Sequence, residues 1–227
     1  MLRTIIFQFT AYFIAGFILQ PDSWVKLKRN KVITWYHVYY GLTVFLFSWL
    51  FSFQPSFWVG ALYISIILFF TDILTGVMHR FISLSKLFFL MNLVNMIVII
   101  GVTYGVLQNP FPLSITLRQS LIILAVITIT KPANLIIKHL FDLFSIEVPN
   151  NNHDSDSLPN AGKLIGMAER LLALMLILSG QYEVVGLIIA SKSILRLNST
   201  QKSEYVLVGT LLSFGIAILL GVGIQTL

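Results

Sequence analysis

Long apolar runs alternate with short polar breaks along this chain. A run of about 20 apolar residues is long enough to cross a hydrocarbon core of about 30 Å as helix. The segments 2–20, 32–53, 56–79, 86–107, 115–131, 162–179, 182–197 and 205–224 follow that pattern. They predict an all-α fold, a polytopic transmembrane helical bundle of about eight spans, with 182–197 the weakest. The first run ends in "LQPDSWVKLKRNK", where Pro21 cannot continue the helical ladder. Its basic cluster follows the apolar stretch and no small-x-small cleavage site is visible, so it reads as a retained helix and not as a secretory signal.

The polar breaks carry a second pattern. Lys26, Lys28, Arg29 and Lys31 follow the first run, Arg80 and Lys86 the third, Lys138 and Lys163 flank the break after the fifth, and Lys202 follows the seventh. The alternate breaks, near 54–55, 108–114 and 180–181, contain no Lys or Arg. Basic residues gather in cytoplasmic loops close to helix ends, so this alternation predicts both termini on the non-cytoplasmic side.

Composition agrees with the pattern. With 57% hydrophobic and 11% charged residues and a mean hydropathy of +0.87, the chain has too little polar surface to cover a water-soluble core. The net charge of +6 and pI near 9.6 are distributed along membrane edges without a recognition motif, so no nucleic acid is expected. The absence of cysteine excludes disulfides, thiolate catalysis and Cys-ligated zinc. The segment "SIEVPNNNHDSDSLPNA" at 145–161 is polar and proline-containing, and reads as a cytoplasmic linker. It would divide a five-span part, 1–144, from a three-span part, 162–227. His153, Asp154 and Asp156 within it read as solvated residues and not as metal ligands.

Polar residues inside spans are expensive in hydrocarbon and face the bundle interior. Tyr12, His37, Asp72, His79, Asn92 and Asn95 form a polar belt in the cytoplasmic halves of the first four spans. Asp72, Thr75 and His79 share one helix face. Such a polar belt serves either a buried site or an interhelical hydrogen-bond layer. In the C-terminal part, Glu169, Arg170, Lys192, Arg196 and Glu204 converge in depth. One reading pairs Glu169 with Lys192 and Glu204 with Arg196. The other gathers Arg170, Lys192 and Arg196 into a cationic pocket for an anionic lipid headgroup.

The stretches "GFILQPDSWVKLK", "TKPANLIIK" and "NAGKLIGMAER…GQYEVVGLIIASKSILR…SEYVLVGTLLSFGIAILLG" resemble bacterial multi-pass membrane proteins of domain-of-unknown-function family 3307. The resemblance runs over nearly the whole chain and is most specific in the C-terminal third. It implies residence in a bacterial cytoplasmic (inner) membrane and carries no established activity. It also implies a set of polar residues in the first four helices: H-x-x-x-D-F-x-L-Q, a histidine in the second, H-x-x-x-D in the third and D-Q-x-x-H in the fourth. In this chain His37, Asp72 and Gln20 fit that set. Tyr12, Gly16 and Leu68 stand at its other His and Asp positions, and Met91, Asn92 and Asn95 replace its last motif.

A His/Asp set of that kind resembles membrane-embedded metal-dependent hydrolases. Two surviving ligands fall short of the three protein ligands a catalytic ion typically needs. The expectation is therefore a non-catalytic membrane protein without metal or cofactor, binding a lipid headgroup or a protein partner at the cytoplasmic leaflet. A metal-dependent hydrolase or transferase is the alternative, and a small-solute transporter ranks last because no paired broken helices are visible in equivalent halves.

Overall fold

The computed structural model describes residues 1–30, 34–107, 114–146, 161–196 and 203–227. The side chains of residues 29, 30, 161, 195, 196 and 203–206 lie outside that description. Ten α-helices and no strand occur among the described residues, and they form two compact units, Met1–Ile127 and Thr128–Leu227.

In the first unit, α1 (Leu2–Phe13) continues into a π-helical turn (Ile14–Ile18), and α2 (Asp22–Asn30) leaves it at an angle of 82°. The bend follows from Pro21, which has no N–H to extend the ladder. Its carbonyl instead accepts from Trp24 N–H at 3.0 Å and so opens α2. Next come α3 (Trp35–Phe51), a 3-10 turn (Pro55–Phe57), α4 (Trp58–Met78), α5 (Leu84–Val106) and α6 (Leu117–Thr128). Helix α3 packs on α4, α4 on α5, and α1 on both α3 and α5. Gln8 and Ser48 fasten α1 to α3: Gln8 Nε2 donates to the Ser48 carbonyl at 2.9 Å, and Ser48 Oγ donates to Gln8 Oε1 at 2.5 Å. Ser65 Oγ of α4 donates to the Gly41 carbonyl of α3 at 2.6 Å.

The second unit holds α7 (Lys131–Leu143), α8 (Ala161–Leu178), α9 (Tyr182–Arg196) and α10 (Ser203–Gln225). Ala173 and Ile177 of α8, Val185 of α9, and Phe214 and Ala217 of α10 form its core. Helix α8 turns into α9 at Gly180, whose φ of +77° suits glycine. The carbonyls left open there accept from Gly180 N–H at 2.9 Å and Gln181 N–H at 2.8 Å.

Helices α4, α5 and α10 are each long and apolar enough to cross a membrane. The pairs α1/α2 and α6/α7 qualify only if each broken pair is one span, so three to five candidate spans are present among the described residues, not the expected eight. At about 1.5 Å per residue, the 17 residues of α3 and the 15 of α9 reach roughly 26 Å and 23 Å, short of a full hydrocarbon core. Helix α8 carries Lys163, Glu169 and Arg170 within 18 residues. The run 115–131, expected as one span, breaks between α6 and α7, where Pro132 falls in the first turn of α7. The division of the chain into the two units falls next to that break, between residues 127 and 128. Residues 147–160, most of the expected linker, lie outside the described residues.

Candidate functional site

The polar residues of the first unit meet at the end where α1 bends into α2. Lys28, four residues after Trp24 on α2, points inward. Its Nζ donates to Asp72 Oδ2 on α4 at 2.6 Å and to Gln20 Oε1 at 2.9 Å, and lies 4.9 Å from the Tyr40 ring centroid. Only 6% of Lys28 is exposed. A carboxylate in an apolar helix requires a cation or several donors, and here a lysine of the bent helix supplies the cation.

His37, in the first turn of α3, lies beneath this pair. Its Nδ1 accepts from Thr34 N–H at 3.1 Å and lies 2.9 Å from Thr34 Oγ1, closing a capping box at the start of α3. With Nδ1 as acceptor, the neutral ring carries its proton on Nε2. That Nε2 is buried, has no hydrogen-bond partner, and stands 3.9 Å from Asp72 Oδ2, beyond hydrogen-bond range.

A second polar layer adjoins the first through Thr71, the neighbour of Asp72. Tyr12 OH donates to Asn92 Oδ1 at 2.7 Å and accepts from Asn95 Nδ2 at 3.2 Å. Thr71 Oγ1 stands 2.8 Å from Asn95 Oδ1 and 2.9 Å from the Leu68 carbonyl. Asn92 Nδ2 donates to the Phe88 carbonyl at 2.7 Å. The sequence-expected belt is thus brought together at Tyr12, His37, Asp72, Asn92 and Asn95. His79 does not join it: its Nδ1 lies 2.5 Å from the Gly76 carbonyl of its own helix end. Thr75 likewise turns to its own helix, donating to the Thr71 carbonyl at 2.7 Å.

The sequence pattern places Lys28 only among the loop charges. The signal that would have found it is Asp72 itself, which with Asp22 makes up all the acids of residues 1–127 and needs a basic partner within reach. Around the pair, the same end of the unit exposes Lys26, Arg80 and Lys86, with Trp35 (77%) and Phe81 (85%) outermost. Trp24 stacks over Tyr39 and against Tyr36, at 6.0 and 5.1 Å between ring centroids.

In the second unit the expected cluster divides. Lys192 forms an ion pair with Glu169, joining α9 to α8, and lies 5.8 Å from the Phe214 ring centroid. Arg170, 2% exposed, turns elsewhere. Its Nε donates to the Ile129 carbonyl at 2.8 Å, one terminal nitrogen to Ser213 Oγ at 2.9 Å and the other to Asn134 Oδ1 at 2.6 Å. Arg170 and Lys192 thus each have acceptors of their own. The side chains of Arg196 and Glu204, and so their expected pairing, lie outside the described residues.

A family model described as a protein of unknown function, DUF3307, matches residues 4–124, just over half of the chain. The chain belongs to the DUF3307 family. The match falls on the unit that carries the polar belt, and the C-terminal third, where the resemblance was read as most specific, lies beyond it. No curated protein and no solved structure matches this DUF3307 chain.

Proposed function

We propose that this DUF3307 protein is a non-catalytic, multi-pass protein of a bacterial inner membrane that binds an anionic lipid headgroup at the cytoplasmic leaflet through the basic end of its first unit. The observation that carries this reading is the Lys28–Asp72 pair at 2.6 Å. The one carboxylate that could serve as a hard metal ligand in this belt is neutralised from within, by a helix bent 82° from α1. Lys26 on the same short helix, with Arg80 and Lys86, remains exposed beside aromatic anchors. Such a helix suits the plane of an anionic membrane surface, where each basic residue contributes about 1 kcal/mol. The same reading takes the shorter helices as completing eight crossings with both termini non-cytoplasmic, supported by the alternation of basic loops.

The test is native mass spectrometry of the full chain released gently from membranes, with metal analysis on the same sample. Retained lipids should be enriched in anionic headgroups. A stoichiometric divalent ion that disappears in both His37→Ala and Asp72→Ala would favour the metal-dependent hydrolase instead.

A further inference from the structure

Asp72 Oδ2 faces two donors and is bonded to one. Lys28 Nζ holds it at 2.6 Å, while the buried Nε2 of His37 stands 3.9 Å away with no hydrogen-bond partner. An unsatisfied buried donor is unfavourable in itself, and a carboxylate shift of about 1 Å would bring it to hydrogen-bond distance. The His37 ring is anchored by Thr34 on its other nitrogen, so the carboxylate is the moving part. Asp72 has room to move, since 23% of its side chain is exposed.

We propose that Asp72 exchanges between Lys28 and His37, and that this exchange releases Lys28 to the phosphate of an anionic lipid headgroup. The inference rests on the headgroup reading above and names the residue that takes the ligand. A phosphate oxygen offers the ammonium a charge-assisted bond equivalent to the one it leaves. Asp72 then closes on His37, so no buried carboxylate is left without a donor, which is the large penalty when an ion pair is broken by removing one partner. The helix that carries Lys28 is short and would shift with it: α2 has nine residues, follows the break at Pro21, and carries Lys26 outward to the same surface. Among the described residues, the groups facing the exchange are Gln20, Lys28, His37 and Asp72, with the Tyr40 ring beneath the ammonium.

The chain has no cysteine, so paired nitroxide labels can be placed at Ser23→Cys on α2 and Tyr104→Cys at the far end of α5, where the native residues are exposed. Pulsed electron resonance is recorded in nanodiscs of phosphatidylcholine alone and of phosphatidylcholine with phosphatidylglycerol. Phosphatidylglycerol should produce a second distance population that is minor in phosphatidylcholine. Lys28→Met should show that population in both lipids, because the latch is gone. His37→Phe should suppress it in phosphatidylglycerol, because Asp72 then has no second donor. Inorganic phosphate added to phosphatidylcholine discs should have no effect, and a shift there would overturn the requirement for lipid. An unchanged distribution together with phosphatidylglycerol retention in native mass spectra overturns the exchange and leaves the headgroup reading standing. Failure to retain phosphatidylglycerol overturns both.

Discussion

Replacing either member of the Glu169–Lys192 pair should destabilise the second unit, and Lys192→Met should do so more than Glu169→Gln. The two side chains are 20% and 18% exposed, so about four-fifths of each is out of contact with solvent. Breaking a fully buried pair by removing one partner costs about 3–5 kcal/mol. Partial exposure and snorkelling toward the interface reduce this to roughly 1–3 kcal/mol. The asymmetry has a structural source. When Glu169 is removed, Lys192 keeps the face of the Phe214 ring, 5.8 Å away. When Lys192 is removed, the adjacent Arg170 cannot replace it without leaving Ile129, Ser213 and Asn134. Thermal unfolding in a fixed detergent is a suitable assay, since 1 kcal/mol corresponds to about 2–4 °C for a chain of this size. The double variant, with no charge left unpaired, should recover most of the loss. Strictly additive losses would refute direct pairing.

Three further substitutions probe the other contacts. Arg170→Lys keeps the charge but cannot span three acceptors, and should cost roughly 3 kcal/mol in the same unfolding assay; a neutral result would mean the guanidinium fork is not structural. Tyr12→Phe removes the hydroxyl joining Asn92 and Asn95 and should cost about 1–3 kcal/mol, with Asn92→Leu losing little further stability in that background. Gly221→Ala would place a Cβ 2.6 Å from Ile177 Cγ2, so Ile177 or its helix must shift, and a loss of about 1–3 kcal/mol is expected; unchanged stability would show that this helix contact is looser than described.

The helical character of the chain and most of the belt were legible in its sequence, because polar residues in apolar helices have few places to go. Tyr12, Asn92 and Asn95 were found by depth alone, and they do form one network. Depth could not separate His79, which sits at the end of α4 and satisfies itself on Gly76. Lys28 was hidden for the opposite reason: residues after Pro21 read as a loop, and only the 82° bend reveals that they form a helix able to turn one lysine inward. The expected eight spans exceed the three to five candidates among the described residues because hydropathy records apolar content, whereas those candidates also have unbroken helix length. Helix α3 and the break before Pro132 differ from long spans in that respect alone. The fate of Arg170 depended on carbonyl and hydroxyl acceptors distant in sequence, 36 to 43 residues away, which no local pattern announces.

The central claim is that the basic end of the first unit binds an anionic headgroup. Its most direct test is competition between phosphatidylglycerol and phosphatidylcholine for the purified full chain, read as lipid adducts by native mass spectrometry. Wild type is compared with a triple variant carrying Lys26→Gln, Arg80→Gln and Lys86→Gln, which leaves Lys28 and Asp72 in place. The account predicts that wild type retains phosphatidylglycerol in clear excess and that the triple variant, still folded by thermal unfolding, shows a clearly smaller excess, the remainder being held by Lys28. Equal retention by wild type, or an undiminished preference in the triple variant, would contradict it.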